Sequence, residues 1–380
     1  MIAPLRRNPT INAAERHRIE DEVLQRCYQR ETKAIDRRAD ALDKIEARER
    51  RGLVRDLGTG QGWSRAIVSA ELRLSVLPRL SAFAQVLPMT NADNAALDLL
   101  RAWVVRAVPN EGADWFKHQI ALMCSGPTEK ELYLALGYAI RRLGKQDLGL
   151  RSEDLAAAST ARTGWNPGDW SVDQAARLAF VLASHNDDGT RFKARLEQLF
   201  RTADVGELIT FYRGLPLYPH PKLHVARARE GARSAMQPIF EAVAHRNPYP
   251  MVEFDENAWN HMVLKALFVG SKLDPIQGLD RRSNPALMRM LRDYAHERWA
   301  AGRPVSPELW RCVGPHADRD AIADLGRVLR TGTAVEQQAA ALALAASSLP
   351  AAREVLAEAP DLAKQAAAHG LSWAAIAEAS

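Results

Sequence analysis

The sequence predicts an all-α protein, an irregular α-solenoid of HEAT-like helical hairpins with no significant β-sheet. Three observations carry that expectation. Period-two alternation of β-branched residues, the mark of a half-buried strand, is hard to find along the chain. Helix starts recur in one form: Thr128-Glu129-Lys130-Glu131, Ser171-Val172-Asp173-Gln174 and Asp204-Val205-Gly206-Glu207 each put a side-chain acceptor at the N-cap and Glu or Gln three residues on. From Ala321 to Ile376 the chain is rich in alanine and is cut into short helices, and small side chains let stacked helices approach closely.

The elements follow in order. Residues Asn12 to Asp56 are dense in charge, with Leu24, Tyr28, Ile35, Leu42 and Ile45 as a thin apolar seam, the pattern of a long solvated helix or a docking helix. Gly58-Thr59-Gly60-Gln61-Gly62 has no strand before it and no Gly-Lys-Ser/Thr ending, so it reads as a linker and not a phosphate loop. Helices are expected over Arg65–Leu77, Leu97–Val108 and Trp115–Met123, stopped by Pro78, Pro109 and Gly126-Pro127. The Thr128 box opens a helix with Leu132, Leu136, Ala139, Ile140 and Leu143 as its stripe and Gly144 as its stop. The Ser171 box opens one carrying Leu178, Val181 and Leu182, and the Asp204 box one carrying Leu208, Ile209, Phe211 and Tyr212. A long helix is expected from Pro221 to about His245, kinked or broken at Pro238.

A helix from about Asn257 to Gly270 is apolar on nearly every side, yet carries Asn260, His261 and Lys265. Asn284-Pro285 is an N-cap followed by proline at N1, and Ser306-Pro307 repeats the device before Trp310. In the tail, helices are expected over Val335–Ser347, Ala351–Glu358, Asp361–Ala368 and Ser372–Glu378. The chain thus divides into a charged extension and linker (1–62), an all-α core (63–316) and alanine-rich hairpins (317–380).

Bulk properties narrow the function classes. With 380 residues, 47% of them hydrophobic, the chain can bury a sizeable core. A net charge of +5 arises from 51 basic residues against 46 acidic ones, without the concentrated basic stripe of a nucleic-acid binder. Cys27, Cys124 and Cys312 are odd in number and widely spaced, so neither a disulfide framework nor a zinc cluster is expected. No apolar leader and no membrane-length apolar window is seen, and a cytoplasmic protein is expected.

Candidate site residues gather between Tyr212 and Arg282. Tyr212 and Arg213 leave a helix into a proline-stiffened turn, where Arg213 either complements the helix dipole or binds an anion. His220 and His224 are four apart, the spacing of a metal pair, but further ligands are missing, so no metal and no cofactor is expected. Asn257, His261 and Lys265 fall on one helical face, with Asn260 offset; Asp255, Asp274 and Asp280 are candidate partners for the lysine. Asp280-Arg281-Arg282 immediately precedes a helix start and is a candidate anion or partner site, or else a solvated loop in which Asp280 neutralises one arginine. Tyr212, Arg213, Lys265, Arg281 and Arg282 are expected to share a groove. No Ser-His-Asp order, GxSxG, P-loop or CxxC motif is present.

Several of these segments together, ADVGELITFYRGLPLYPHPKLHVARAREG, FEAVAHRNPYP, AWNHMVLKALFVG, LDPIQGLDRRSNPAL and YAHERWAAGRPVSPELWRCVGP, resemble the EboA family. The resemblance is dense from Trp165 to Pro315, weaker over 63–163, and extends to the alanine-rich tail. His261 stands where the family pattern implies glutamine. The resemblance implies a bacterial protein acting with a cluster of partners: a UbiA-like membrane prenyltransferase, a TatD-like metal hydrolase, a dehydroquinate-synthase-like protein and a sugar-isomerase-like barrel. It implies a role in moving secondary metabolites toward the cell envelope, and it carries no catalytic residues. Two functions stay open: a non-enzymatic binding or scaffold protein, which the residues favour, and an enzyme, with or without a metal, acting on a prenylated or aromatic metabolite.

Overall fold

The computed structural model describes residues 91–379 except 186 and 187. The charged segment 12–56, the linker 58–62 and the helix expected over 65–77 lie outside these residues. Among the described residues every regular element is helical, and the extended pairings are two isolated bridges, Asp147 with Ser171 and His245 with Ile276.

The order begins with α1 (Asn91–Ala107), α2 (Asn110–Cys124) and α3 (Glu129–Leu143). Pro109 is extended and caps α2, a position where its missing N–H has no partner to lose. The Thr128 capping box forms in full: Glu131 N–H donates to Thr128 Oγ1 at 3.3 Å, and Thr128 N–H to Glu131 Oε2 at 2.8 Å. α4 (Ser152–Ala161) and α5 (Val172–Ala183) follow. α5 is buried at every position but Gln174 and packs on α1, α2 and α3, so it is the axis of this half. Its buried charges Asp173 and Arg177 pair at 2.8 Å, and Arg177 Nε donates to Leu136 O at 3.1 Å, which compensates the arginine's desolvation. Trp103, Trp165 and Trp170 pack in series, ring centroids 5.5 and 5.9 Å apart.

α6 (Gly189–Thr202) and α7 (Val205–Arg213) start at Asp188 and Asp204, whose carboxylates accept from the free N–H groups of the first turn. Neither α4 nor α6 is among the expected helices: α4 has Arg151 at its N-cap, and α6 has the Asp188 cap but begins on a glycine, without Glu or Gln three residues on.

The long helix expected from Pro221 to His245 is instead three pieces: a 3-10 turn Pro221–His224, α8 (Val225–Gly231) and α9 (Gln237–Ala244). The break comes at Gly231, which lies so close to Tyr212 that an added Cβ would sit 2.6 Å from the ring. Pro238 falls in the first turn of α9, so of the kink or break expected there the break is found, with the proline starting the next helix.

α10 (Tyr249–Glu253), α11 (Glu256–Phe268), α12 (Leu279–Arg282) and α13 (Pro285–Ala300) come next. Asn284 caps α13, accepting from Leu287 N–H at 2.9 Å with Pro285 at N1, as expected. Ser306-Pro307 opens a 3-10 helix, Pro307–Cys312, followed by another at Gly314–His316. The tail is α14 (Arg319–Thr331), α15 (Ala334–Ala346), α16 (Pro350–Leu356), α17 (Pro360–Ala367) and α18 (Trp373–Ala379), the last four at nearly the spans expected. α15 packs on α14, α16, α17, α18 and both late 3-10 segments. Its alanines allow this: Ala339, Ala340, Ala341 and Ala343 are fully buried, and a Cβ added at Gly314 would lie 2.4 Å from the Ala343 carbonyl oxygen. These helices share one continuous apolar core with the rest of the described residues. Among the described residues no helix is long and apolar enough to cross a membrane.

Candidate functional site

α11 has a closed side and an open one. Trp259, Asn260, Met262, Val263, Ala266 and Leu267 are buried. Asn257, Ala258, His261, Leu264, Lys265 and Phe268 line a cleft of about 510 Å³, completed by Arg229 of α8, by Ala232 and Arg233 just beyond its end, and by Phe254. The i, i+4 spacing of Asn257, His261 and Lys265 sets these three polar side chains in a row, with His261 Nδ1 2.8 Å from Asn257 O. Phe268 is 60% exposed and meets Tyr294 edge to face at 4.9 Å, so it offers an aromatic shelf at the end of the row.

The cleft is cationic. Arg229 Nη2 pairs with Asp255 Oδ2 at 2.6 Å, while Arg229 Nε is buried with no hydrogen-bond partner. Asp255 also caps α11; the Ala258 N–H first, and the Arg229 guanidinium after it, hold its carboxyl below the usual range. No lining side chain is acidic. Among the described residues neither Arg233 nor Lys265 makes an ion pair or a side-chain hydrogen bond. Two uncompensated cations therefore face an apolar wall, an arrangement suited to an anionic group carried on an apolar body.

The aspartates that sequence offered to Lys265 are engaged elsewhere. Asp255 holds Arg229; Asp274 and Asp280 both accept from Arg311, at 2.8 Å and at 2.6 and 2.7 Å. Arg311 lies 31 residues beyond Asp280, so no local pattern points to it. Asn260 and Asn284 exchange amide hydrogen bonds at 3.2 and 2.9 Å, which ties α11 to the start of α13. Arg282 does not project into a groove. It donates to the carbonyls of Pro250, Met251 and Phe254 at 2.9, 3.1 and 2.8 Å and stacks 4.7 Å over Trp259, closing the C-terminal end of α10. Burial lowers the Arg282 guanidinium pKa, and Arg281 beside it adds to the effect. Arg281 is exposed.

Tyr212 is a core residue, its ring 4.7 Å from Phe200, and burial pushes its hydroxyl up to about 12. Arg213 lies in a second cleft of about 270 Å³, with Trp165, Asp169, Glu241, His245 and Arg246. It pairs with Asp169 at 2.8 Å and donates to Gln174 Oε1 at 2.9 Å; Arg246, in the left-handed region at φ 48°, also reaches Asp169 at 3.1 Å. The residues expected to share one groove thus separate: Lys265 lines the first cleft, Arg213 the second, and Tyr212 and Arg282 are packed into the frame.

Beside the second cleft Ser271, His245 and Glu241 come together, unannounced by any motif. Ser271 Oγ donates to Glu241 Oε1 at 2.8 Å and lies 3.0 Å from His245 Nε2, which is 2.9 Å from Lys272 O. Donating to that carbonyl, Nε2 carries the proton and does not accept one from the serine, so the trio is not an activated nucleophile in this arrangement. Burial lowers the His245 pKa.

His220 and His224 do not form the helical pair that their spacing suggests. His220 is in the left-handed region at φ 53°, and His224 is buried with Nε2 3.0 Å from Pro219 O, a contact in which it donates. Burial lowers the His224 pKa. Among the described residues no group of three or more His, Cys, Asp or Glu is placed to hold a metal ion. Arg229 and Arg233, absent from the expected site, carry their own i, i+4 signal, but nothing in the sequence says that they face Lys265.

No curated protein and no solved structure matches the chain. A family model, metabolite traffic protein EboA, matches residues 96–314, a stretch that contains every residue of both clefts and ends before α14. Since that match takes in more than half of the sequence, the chain belongs to the EboA family.

Proposed function

We propose that the protein binds a metabolite and hands it on without transforming it, holding an anionic group attached to an apolar body in the cleft between the end of α8 and the open face of α11. The observation that carries this reading is the pair of uncompensated cations, Arg233 and Lys265, set against Phe254, Met262 and Phe268. Metabolite traffic, the process in the family's name, requires binding and release. The setting we propose is the cytoplasmic side of an Ebo-type assembly, where the helices, stacked in HEAT-like fashion, present an extended scaffold surface to partner proteins, among them the membrane prenyltransferase, as a secondary metabolite moves toward the envelope.

The test uses 8-anilinonaphthalene-1-sulfonate, an aromatic body bearing one anion, titrated by fluorescence. Arg233→Glu with Lys265→Glu removes two attractive charges and adds two repulsive ones, and a dissociation constant raised at least tenfold, about 1.4 kcal/mol or more, is expected. Equal affinity in the double variant would remove the cleft from the account.

A second reading rests on the Ser271, His245 and Glu241 cluster beside the second cleft: an enzyme acting on a prenylated or aromatic metabolite. It requires a bound ligand to draw His245 away from Lys272 O, so that an unprotonated Nε2 can accept from Ser271. Turnover abolished by His245→Gln, with sulfonate binding intact, would favour this reading over simple carriage.

A further inference from the structure

The exposed large apolar side chains are unevenly distributed. Of the six among the described residues, Leu134, Tyr138 and Ile140, at 46%, 45% and 40% exposure, all lie on α3. Helical spacing puts Lys130, Leu134, Gly137, Tyr138 and Arg141 in one strip, with Tyr133 and Ile140 at its edges. The strip holds no acid, because Glu131 is turned back to the Thr128 cap. Nothing lies within 4 Å of where a Gly137 Cβ would be, so the strip is an open hollow, not a deep anchor pocket.

Arginines flank the strip. Arg191, Arg195 and Arg201 of α6 line a concavity beside Pro127, Thr128 and Glu129 at the start of α3, with Glu129 its one acid. The two helices meet where Thr202 Oγ1 lies 3.4 Å from the Tyr133 hydroxyl. Basic residues thus stand at both ends of an apolar strip, the α6 arginines beside its start and Arg141 at its far end.

We propose that this face docks on an anionic membrane surface, α3 lying flat with Leu134 and Tyr138 at the headgroup–acyl boundary and Lys130, Arg141, Arg191 and Arg201 on the lipid phosphates. Charge complementarity selects this occupant. A helix in the plane of a bilayer is held by cations that reach headgroups from both ends of its apolar stripe, and tyrosine favours that interface. A second copy fits poorly: antiparallel α3 helices would set Lys130 against Arg141, and parallel ones would set like against like. The hollow at Gly137 is too open to seat the single anchoring side chain on which protein partners commonly depend.

The test is co-sedimentation of the full chain with vesicles of phosphatidylcholine alone and of phosphatidylcholine mixed with phosphatidylglycerol. The chain is expected to sediment with the mixed vesicles, to stay in solution with the neutral ones, and to be released at high salt. Leu134→Glu with Tyr138→Glu should lower the partition at least about tenfold with an unchanged circular dichroism spectrum and melting temperature, since both side chains are exposed. Arg191→Glu with Arg201→Glu should lower it independently. Binding that both variants retain would place membrane attachment elsewhere in the chain and overturn the proposal. No binding to mixed vesicles would overturn it too, as would a wild-type dimer in light scattering that Leu134→Glu with Tyr138→Glu makes monomeric, or retention of this face by an acidic protein in preference to lipid. Sulfonate binding in the α8–α11 cleft should be untouched by these variants, so the two proposals fail separately.

Discussion

Replacing Arg282 with alanine separates a frame residue from a ligand-binding one. In the structure its guanidinium donates to the carbonyls of Pro250, Met251 and Phe254 and covers the Trp259 ring. Hydrogen bonds to a charged donor contribute about 1.5–3 kcal/mol each when buried, but this side chain is half-buried and water can replace part of what is lost, so about 1 kcal/mol each is the appropriate scale. Losing the cation–π contact adds roughly 0.5–1 kcal/mol. Arg282→Ala should therefore destabilise the protein by about 3–4 kcal/mol, a large share of the ~5–15 kcal/mol by which domains are stable. Arg281→Ala, on an exposed side chain beside it, should stay within about 0.5 kcal/mol of wild type. Urea unfolding followed by tryptophan fluorescence measures both. An Arg282→Ala protein as stable as wild type but unable to bind the sulfonate probe would refute this reasoning and restore Arg282 to a binding site.

Three further outcomes follow from the same contacts. Asn260→Leu leaves Asn284 facing an apolar group and weakens the tie between α11 and α13; a loss of about 2 kcal/mol in urea unfolding is expected, and a neutral result would mean that the paired amides contribute nothing net. Gly231→Ala forces a methyl group against the Tyr212 ring and should lower the melting temperature by several degrees, corresponding to ~1–3 kcal/mol of overpacking, whereas an unchanged melting temperature would show that Tyr212 shifts freely. Asp154 accepts from Arg106 first, then from Arg151 N–H and Trp103 Nε1, and its carboxyl is lowered from 3.8 to about 2. A lowered carboxyl stabilises the fold above its unfolded value, so this contribution is full above pH 3.8 and is lost as the pH falls through about 2; Asp154→Asn should flatten that part of the acid-unfolding curve, and an identical curve would contradict the assignment.

What could be read from the sequence was what is encoded locally. The boxes at Thr128 and Asp204 and the Asn284-Pro285 start depend on residues within one turn of each other, and they form where expected. The short tail helices were legible because prolines punctuate them. The row Asn257, His261 and Lys265 was legible because helical spacing alone puts it on one face. The wall opposite was not, since Arg229, Ala232 and Arg233 face Lys265 only through tertiary packing of the chain around Gly231, which leaves no local pattern. Arg282 looked like an anion ligand because it and Arg281 immediately precede a helix start. Its true partners are the carbonyls that end α10, about thirty residues earlier, and backbone acceptors leave no trace in side-chain patterning. Asp280 was correctly paired with an arginine in kind, but the partner is Arg311 and not a neighbour.

The most direct test of the central claim is native mass spectrometry of the full chain isolated from its own cells, side by side with Arg233→Glu, Lys265→Glu. The account predicts a bound small molecule bearing an anionic group, released on denaturation and missing from the double variant. A wild-type protein that carries no ligand, or a variant that carries the same ligand equally well, would contradict it.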